Sequence, residues 1–242
     1  MSANLPEFRR GVIRPVQCID AGWQLIKAQY WLFLGIIVVG LLIGSAVPLG
    51  IILGPMMCGI YLCLFKRMRG EAVSFDLLFK GFDYFAESLI ATLIQVVPMF
   101  VLIMIIYVLF FVGMMGTAVI AGGGSRGGPP DPGAFFAFLG IVGVFYFLLI
   151  MVIILVSMFF IFTYPLIVDR RLSGLDAIKT SIRAVIGNFG GVLGLMLLNA
   201  LLGVVGILLC YFGIFLVMPI SLAAWAVAYR QVFSTDADFD GV

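Results

Sequence analysis

Four blocks of this chain carry no charged side chain: residues 28–65, 88–125, 132–168 and 184–229 contain no Asp, Glu, Lys or Arg. Each is longer than the roughly 18 apolar residues at which a run reads as a membrane span. A soluble core for a chain of 242 residues does not call for four such blocks. Composition agrees, since 11% of the residues are charged against roughly 25% in soluble domains. The fold class expected is therefore all-α and membrane-integral. The segment up to Gln29 is too long for the basic start of a signal peptide, and the apolar run continues past Gly44-Ser45-Ala46. An uncleaved first span is the reading.

Gly and Pro breaks divide the blocks into six spans. These are Tyr30–Val47, Leu49–Phe65 beyond Pro48, about Leu89–Ile120, about Phe135–Ile167, Gly191–Cys210 and Ile214–Tyr229. The stretch Ala121-Gly-Gly-Gly-Ser-Arg-Gly-Gly-Pro-Pro-Asp-Pro-Gly133 is the clearest loop. Spans 3 and 4 exceed a bilayer, because about 32 residues at 1.5 Å reach roughly 48 Å against a hydrocarbon core of about 30 Å. They are expected to tilt, to bend near Pro98 or Gly113 and Gly116, or to project beyond the outer face.

With six spans, 13 of the 14 Lys and Arg residues fall on one side, and only Arg126 falls on the other. The positive-inside rule makes the populated side cytoplasmic, together with both termini. A bacterial cytoplasmic membrane is the expected location.

The segment Asp20-Ala-Gly-Trp-Gln-Leu-Ile-Lys27-Ala28 before the first span matches Asp176-Ala-Ile-Lys-Thr-Ser-Ile-Arg183-Ala184 before the fifth. Pro55 precedes Lys66 as Pro219 precedes Arg230, and Asp76-Leu-Leu-Phe-Lys-Gly-Phe82 with Pro165 before Arg170 marks a weaker middle copy. Residues 1–234 thus read as one polytopic domain of three repeat units, about 18–69, 74–171 and 174–232, with an acidic tail at 235–242. Each unit is a short cytoplasmic amphipathic helix followed by a helical hairpin. The Asp near each start is expected at an N-cap or in a first turn. All units share one direction in the membrane, unlike inverted transporter repeats.

The residues Gly54-Pro55-x3-Gly59, Arg69-Gly70-Glu71, Asp76-Leu-Leu-Phe-Lys-Gly-Phe82, Pro165-Leu-Ile-Val-Asp169-Arg170 and Pro219 to Tyr229-Arg230 resemble a broad group of uncharacterised bacterial multi-pass proteins. The pattern is similar to the membrane domain that precedes the catalytic part of some bacterial glycerophosphodiester phosphodiesterases, and it covers most of residues 15–232. The resemblance implies a multi-pass membrane fold. No catalytic phosphodiesterase domain follows in this sequence, so that activity is not expected.

Chemistry-bearing residues are few. There is no histidine, which removes the commonest general base and the commonest zinc or haem ligand. The four cysteines, Cys18, Cys58, Cys63 and Cys210, form no CxxC pair and read as reduced packing residues. No ionisable residue lies within the spans, which counts against ion-coupled transport. Gln95 and Asn199 are the strongest polar groups there and are expected to make interhelical hydrogen bonds. Gly40-x3-Gly44 and Gly190-x3-Gly194 allow close helix packing within or between chains.

Lys66, Arg67, Arg69, Arg170, Arg171 and Arg230 at span ends are candidate contacts for anionic lipid headgroups. Phe135, Phe136 and Phe138 are candidate partner-contact aromatics at the outer interface. A net charge of +2, with the basic residues spread among several segments, excludes nucleic-acid binding. Asp236-Ala-Asp238-Phe-Asp240-Gly241 begins like a calcium loop but lacks the later ligands, so no metal and no cofactor is expected. Surface carboxylates at Asp20, Glu71, Asp83, Glu87, Asp169 and Asp176 are the only catalytic candidates, and no nucleophile–base or phosphate-loop motif accompanies them.

The expected function is non-catalytic: an accessory or scaffold subunit packed against other membrane proteins, or a lipid-organising protein, with membrane lipids as partners. The alternatives are a channel or carrier for an uncharged or lipid-like solute, and a membrane enzyme acting on lipid headgroups. A carrier should show a cavity lined by Gln95, Asn199 or Thr92, whereas an enzyme requires carboxylates, or a carboxylate and an arginine, to converge at headgroup depth.

Overall fold

The computed structural model describes residues 6–123, 132–208 and 213–233. Among these the chain is helical, with no strand. The helices are α1 (Pro15–Ile26), α2 (Tyr30–Ser45), α3 (Leu53–Met68), α4 (Phe85–Gly123), α5 (Pro132–Phe159), α6 (Thr163–Arg170), α7 (Gly174–Gly187), α8 (Phe189–Leu208) and α9 (Gly213–Phe233). A 3-10 helix, Phe75–Tyr84, leads into α4. Five helical segments are long and apolar enough to cross a membrane: Pro15–Ser45, Phe75–Met115, Leu139–Arg170, Phe189–Leu208 and Gly213–Phe233. The helix α3 has 16 residues, about 24 Å, which falls short of a hydrocarbon core of about 30 Å.

The chain divides into two compact units, Met1–Ile94 with Met158–Val242, and Gln95–Ser157. In the first, α1 packs on α9, the 3-10 helix 75–84 on α3, and α7 on α6, while α2 pairs with α3, α8 with α9, and α3 meets α6. Glycines set how closely these elements approach. A Cβ on Gly22 of α1 would stand 2.7 Å from the Ala224 backbone nitrogen of α9. Gly59 of α3 and Gly81 of the 3-10 helix face each other, and a Cβ on either would lie closer than 3.0 Å to backbone atoms across the contact. Gly40 and Gly44 of α2 lie against Ile60, Leu78 and Leu53, and Gly194 against Pro15, so these small residues serve packing within the chain.

The core of this unit is formed by Phe33, Ile36 and Ile37 of α2, Met56, Ile60 and Leu64 of α3, Leu166 of α6 and Tyr229 of α9, all fully buried. Tyr229 stacks on Phe233 at 4.9 Å and lies 5.3 Å from Phe65 and 6.3 Å from Phe162, so rings from three segments share one cluster. Apolar area buried at about 25 cal/mol per Å² holds such a cluster together.

One sequence expectation is refined and one corrected. Phe135–Ile167 is not one helix, because the chain turns at Phe160–Phe162 between α5 and α6. Pro165 sits in the first turn of α6, where its missing N–H costs nothing. The interruption is bridged by Ser181 of α7, whose hydroxyl accepts from Phe162 N–H at 3.2 Å and donates to the Phe159 carbonyl at 2.7 Å. Asp20 does not start α1, which begins at Pro15 with Arg14 as its N-cap. Proline's fixed φ favours that first helical position, and it sets the start one turn and more ahead of Asp20. Asp76 and Asp176 do sit in first turns. Ser173 caps α7, accepting from Asp176 N–H at 3.2 Å and donating to the Asp176 carboxylate at 2.8 Å.

The second unit consists of the α4 and α5 segments within Gln95–Ser157. The α4 helix runs unbroken through Pro98. No described residue of this unit is charged, and large apolar side chains are exposed along both helices, including Leu109 (61%), Ile141 (71%) and Phe147 (63%).

Candidate functional site

The polar groups of the first unit gather where its apolar helices end. At the C-terminus of α3, Lys66 pairs with Glu71 at 3.4 Å and Arg67 Nε donates to the Leu25 carbonyl of α1 at 3.1 Å. Arg69 reaches Asp169 of α6 at 3.4 Å. Asp169 is the hub of this rim: its side chain is 13% exposed, Tyr229 donates its hydroxyl to it at 2.9 Å, and Arg170 lies 3.5 Å away. Arg170 also donates to the Phe233 carbonyl of α9 at 2.7 Å. One carboxylate thus joins the ends of α3, α6 and α9. Charge-assisted hydrogen bonds of this kind contribute roughly 1.5–3 kcal/mol where shielded from water, and less for exposed partners such as Arg69.

A second polar corner holds the N-terminal segment. Asn188, buried between α7 and α8, accepts from Val12 N–H at 3.2 Å and donates to the Arg9 and Ala184 carbonyls at 2.9 and 3.0 Å. Arg9 N–H meets the Val232 carbonyl at 2.8 Å.

A cavity of about 530 Å³ opens at the rim where the 3-10 helix enters α4 and where α6 gives way to α7. It is lined by Asp83, Tyr84, Ala86, Glu87, Ile167, Arg171 and Leu172. Glu87 accepts the Gly174 N–H at 2.7 Å, which ties the start of α4 to the start of α7. Arg171 closes α6 in the left-handed conformation, with φ of 50°. That position normally belongs to glycine, and Arg171 is the sole non-glycine residue with positive φ among the described ones.

Of the six candidate lipid-contacting cations, Lys66, Arg67, Arg69 and Arg170 are therefore engaged within the protein, and Arg171 lines the cavity. Arg230 is half-buried in the last turn of α9. Asn199 donates to the Leu195 carbonyl of its own helix at 2.9 Å, and its buried Oδ1 accepts no hydrogen bond among the described residues. Gln95 is half-buried at the start of the second unit. Thr92 is buried, donating to the Ser88 carbonyl at 2.7 Å and lying 3.0 Å from the Tyr164 hydroxyl. Phe136 is 68% exposed, whereas the side chains of Phe135 and Phe138, the calcium-like tail and Cys210 lie outside the described residues. Among the described residues no group of His, Cys, Asp or Glu could hold a metal ion.

Sequence reasoning missed Tyr229, Ser181 and Asn188 as polar anchors. The Gly187-Asn188 pair at a helix end carried a usable signal, whereas Ser181 is one polar residue among Lys179, Thr180 and Arg183 and Tyr229 ends an apolar run, so neither stood out. The described residues are helical, with five segments long and apolar enough to cross a membrane and their polar groups gathered at the helix ends. The chain matches no family model, no curated protein and no solved structure.

Proposed function

We propose that the chain is a six-span protein of a bacterial cytoplasmic membrane, with both termini cytoplasmic, that acts without catalysis as a scaffold or accessory subunit and organises lipid around it. The sixth span is α3, extended toward the outer face by the apolar residues Leu49 to Ile52. The segregation of Lys and Arg supports this pairing. The order of contacts supports a threefold repeat. The short helix of each unit docks on the second arm of another: 75–84 on α3, α7 on α6, and α1 on α9. The resemblance to uncharacterised bacterial multi-pass proteins fits the same reading.

The observation that carries the scaffold role is the Gln95–Ser157 unit, apolar on all sides and devoid of described charge. Phe100, Leu109, Phe111 and Val112 on α4, and Ile141, Val144 and Phe147 on α5, are each half or more exposed. A surface of that kind is covered by lipid tails or by another membrane subunit. Apolar hollows of about 360 and 210 Å³ along it suit acyl chains or large side chains.

The test is native mass spectrometry of the tagged chain extracted in polymer nanodiscs. A stoichiometric protein partner, or a reproducible shell of defined lipids, supports the role; a bound uncharged solute with neither would replace it with the carrier reading. A second reading, an enzyme acting on lipid headgroups, draws on the convergence of Asp83, Glu87 and Arg171 at one cavity. Lipids recovered with altered headgroups would favour it.

A further inference from the structure

The rim cavity unites four features that together point to a ligand. First, it lies at headgroup depth on both of its walls: the charge-free stretch of α4 begins at Ser88, directly after Glu87, and that of α6 ends at Val168, shortly before Arg171. Second, it holds charges of both signs that are not spent on each other. Among the described residues neither Asp83 nor Arg171 has an ion-pair partner, unlike Lys66, Arg69 and Arg170. Third, Arg171 occupies a left-handed position that strains any residue with a Cβ, and strain retained in a cavity wall points to function. Fourth, Tyr84, Ile167 and Leu172 add apolar lining, and Phe85, Ile90 and Leu175 next to the lining residues are exposed.

We propose that this cavity binds the headgroup of a zwitterionic phospholipid bearing a primary ammonium, of the phosphatidylethanolamine class. The inference rests on the membrane reading above. Arg171 takes the phosphate, for which a guanidinium offers paired N–H donors. Asp83 and Glu87 take the ammonium. Glu87 keeps one oxygen on Gly174 N–H, and its other oxygen meets the ligand. An ammonium with N–H groups donates to carboxylates, whereas quaternary choline cannot, and glycerol headgroups bring no positive charge to balance the two acids. The apolar lining and the neighbouring exposed apolar residues continue into the acyl region, which commits the site to a lipid in place of a soluble amine phosphate.

The test is native mass spectrometry of the purified full chain in detergent, titrated separately with phosphatidylethanolamine, phosphatidylcholine and phosphatidylglycerol of identical acyl chains. The wild type should retain phosphatidylethanolamine roughly tenfold better than the other two, the scale of one lost charge-assisted hydrogen bond. Asp83→Asn with Glu87→Gln should bring phosphatidylethanolamine down to the phosphatidylcholine level. Arg171→Gly, which relieves the left-handed backbone and therefore keeps the fold, should lower retention of both. Equal retention of the three lipids by the wild type, or a preference that survives both variants, overturns the site. Displacement of the lipid by equimolar soluble phosphoethanolamine overturns the lipid assignment. Because the assay uses purified chain and defined lipids, its failure leaves the scaffold reading to be judged by the nanodisc experiment alone.

Discussion

Replacing Gly59 or Gly81 by alanine should destabilise the first unit more than the same change at any other described glycine. Each new Cβ would come within 3.0 Å of backbone atoms across the contact, the Leu78 carbonyl for Gly59 and the Pro55 carbonyl for Gly81. Neither oxygen can swing away as a flexible side chain would, because Leu78 belongs to a 3-10 helix and Pro55 to α3. To restore ordinary separation the whole 3-10 helix must shift away from α3, which loosens the buried packing of Leu77 and Leu78. Overpacking of this kind costs about 1–3 kcal/mol and occasionally more. At Gly59 the better helix propensity of alanine offsets about 0.5–1 kcal/mol. A net loss of about 2 kcal/mol corresponds to roughly 4–8 °C in the unfolding midpoint for a chain of this size.

Thermal unfolding in detergent, followed by tryptophan fluorescence and by monodispersity on size exclusion, reads this directly. Gly35→Ala and Gly143→Ala are the controls. The first meets only Phe75 at 3.9 Å and the second meets nothing within 4 Å, so both should match or exceed the wild type. If Gly59→Ala and Gly81→Ala melt with these controls, the close approach of the two elements is wrong.

The other predictions concern the polar anchors. Asp169→Ala strips the acceptor from the buried Tyr229 hydroxyl and from Arg69 and Arg170, and should cost about 1–3 kcal/mol. A double-mutant cycle with Tyr229→Phe should give a coupling of about 1 kcal/mol in the same melting assay. Ser181→Ala leaves Phe162 N–H and the Phe159 carbonyl without the partner that spans the α5–α6 interruption. It should lower stability by about 1–3 kcal/mol and raise hydrogen exchange around residues 159–163. Asn188→Ala should release the N-terminal segment, read as faster tryptic cleavage at Arg9 and Arg10, because the Arg9 carbonyl and Val12 N–H lose the Asn188 side-chain amide.

Hydropathy made the helical class legible, since charge-free runs of this length have few other solutions in water or lipid. The existence of the short helices was legible too, from the repeated segments beginning at Asp20, Asp76 and Asp176, although their bounds were not. The interruption at Phe160–Phe162 was not, because every residue in it is apolar and the group that bridges it, Ser181, lies on another helix. Pro165 was its only local trace. The start of α1 was misplaced because Asp20 looked like a cap while Pro15 set the first turn. At the rim, the identities of the charges were plain in the sequence, but their pairing was not. Which arginines are spent on Asp169 and which one lines a cavity depends on where α3, α6 and α9 end in space.

The six-span topology puts the loops after α3 and α6 in the cytoplasm and the 121–133 loop outside, and the accessibility of three introduced cysteines tests that placement most directly. Glu71→Cys, Ser125→Cys and Leu175→Cys are each treated with a membrane-impermeant maleimide in intact spheroplasts and again after permeabilisation. Cys18, Cys58 and Cys63 are buried, and Cys210 is replaced by serine in every variant, so the Cys210→Ser chain serves as the blank. Six spans predict that Ser125→Cys reacts in intact spheroplasts, while Glu71→Cys and Leu175→Cys react only once the membrane is opened. Labelling of Glu71→Cys and Leu175→Cys in intact spheroplasts, with Ser125→Cys protected, would place the loops after α3 and α6 outside and would contradict six spans with cytoplasmic termini.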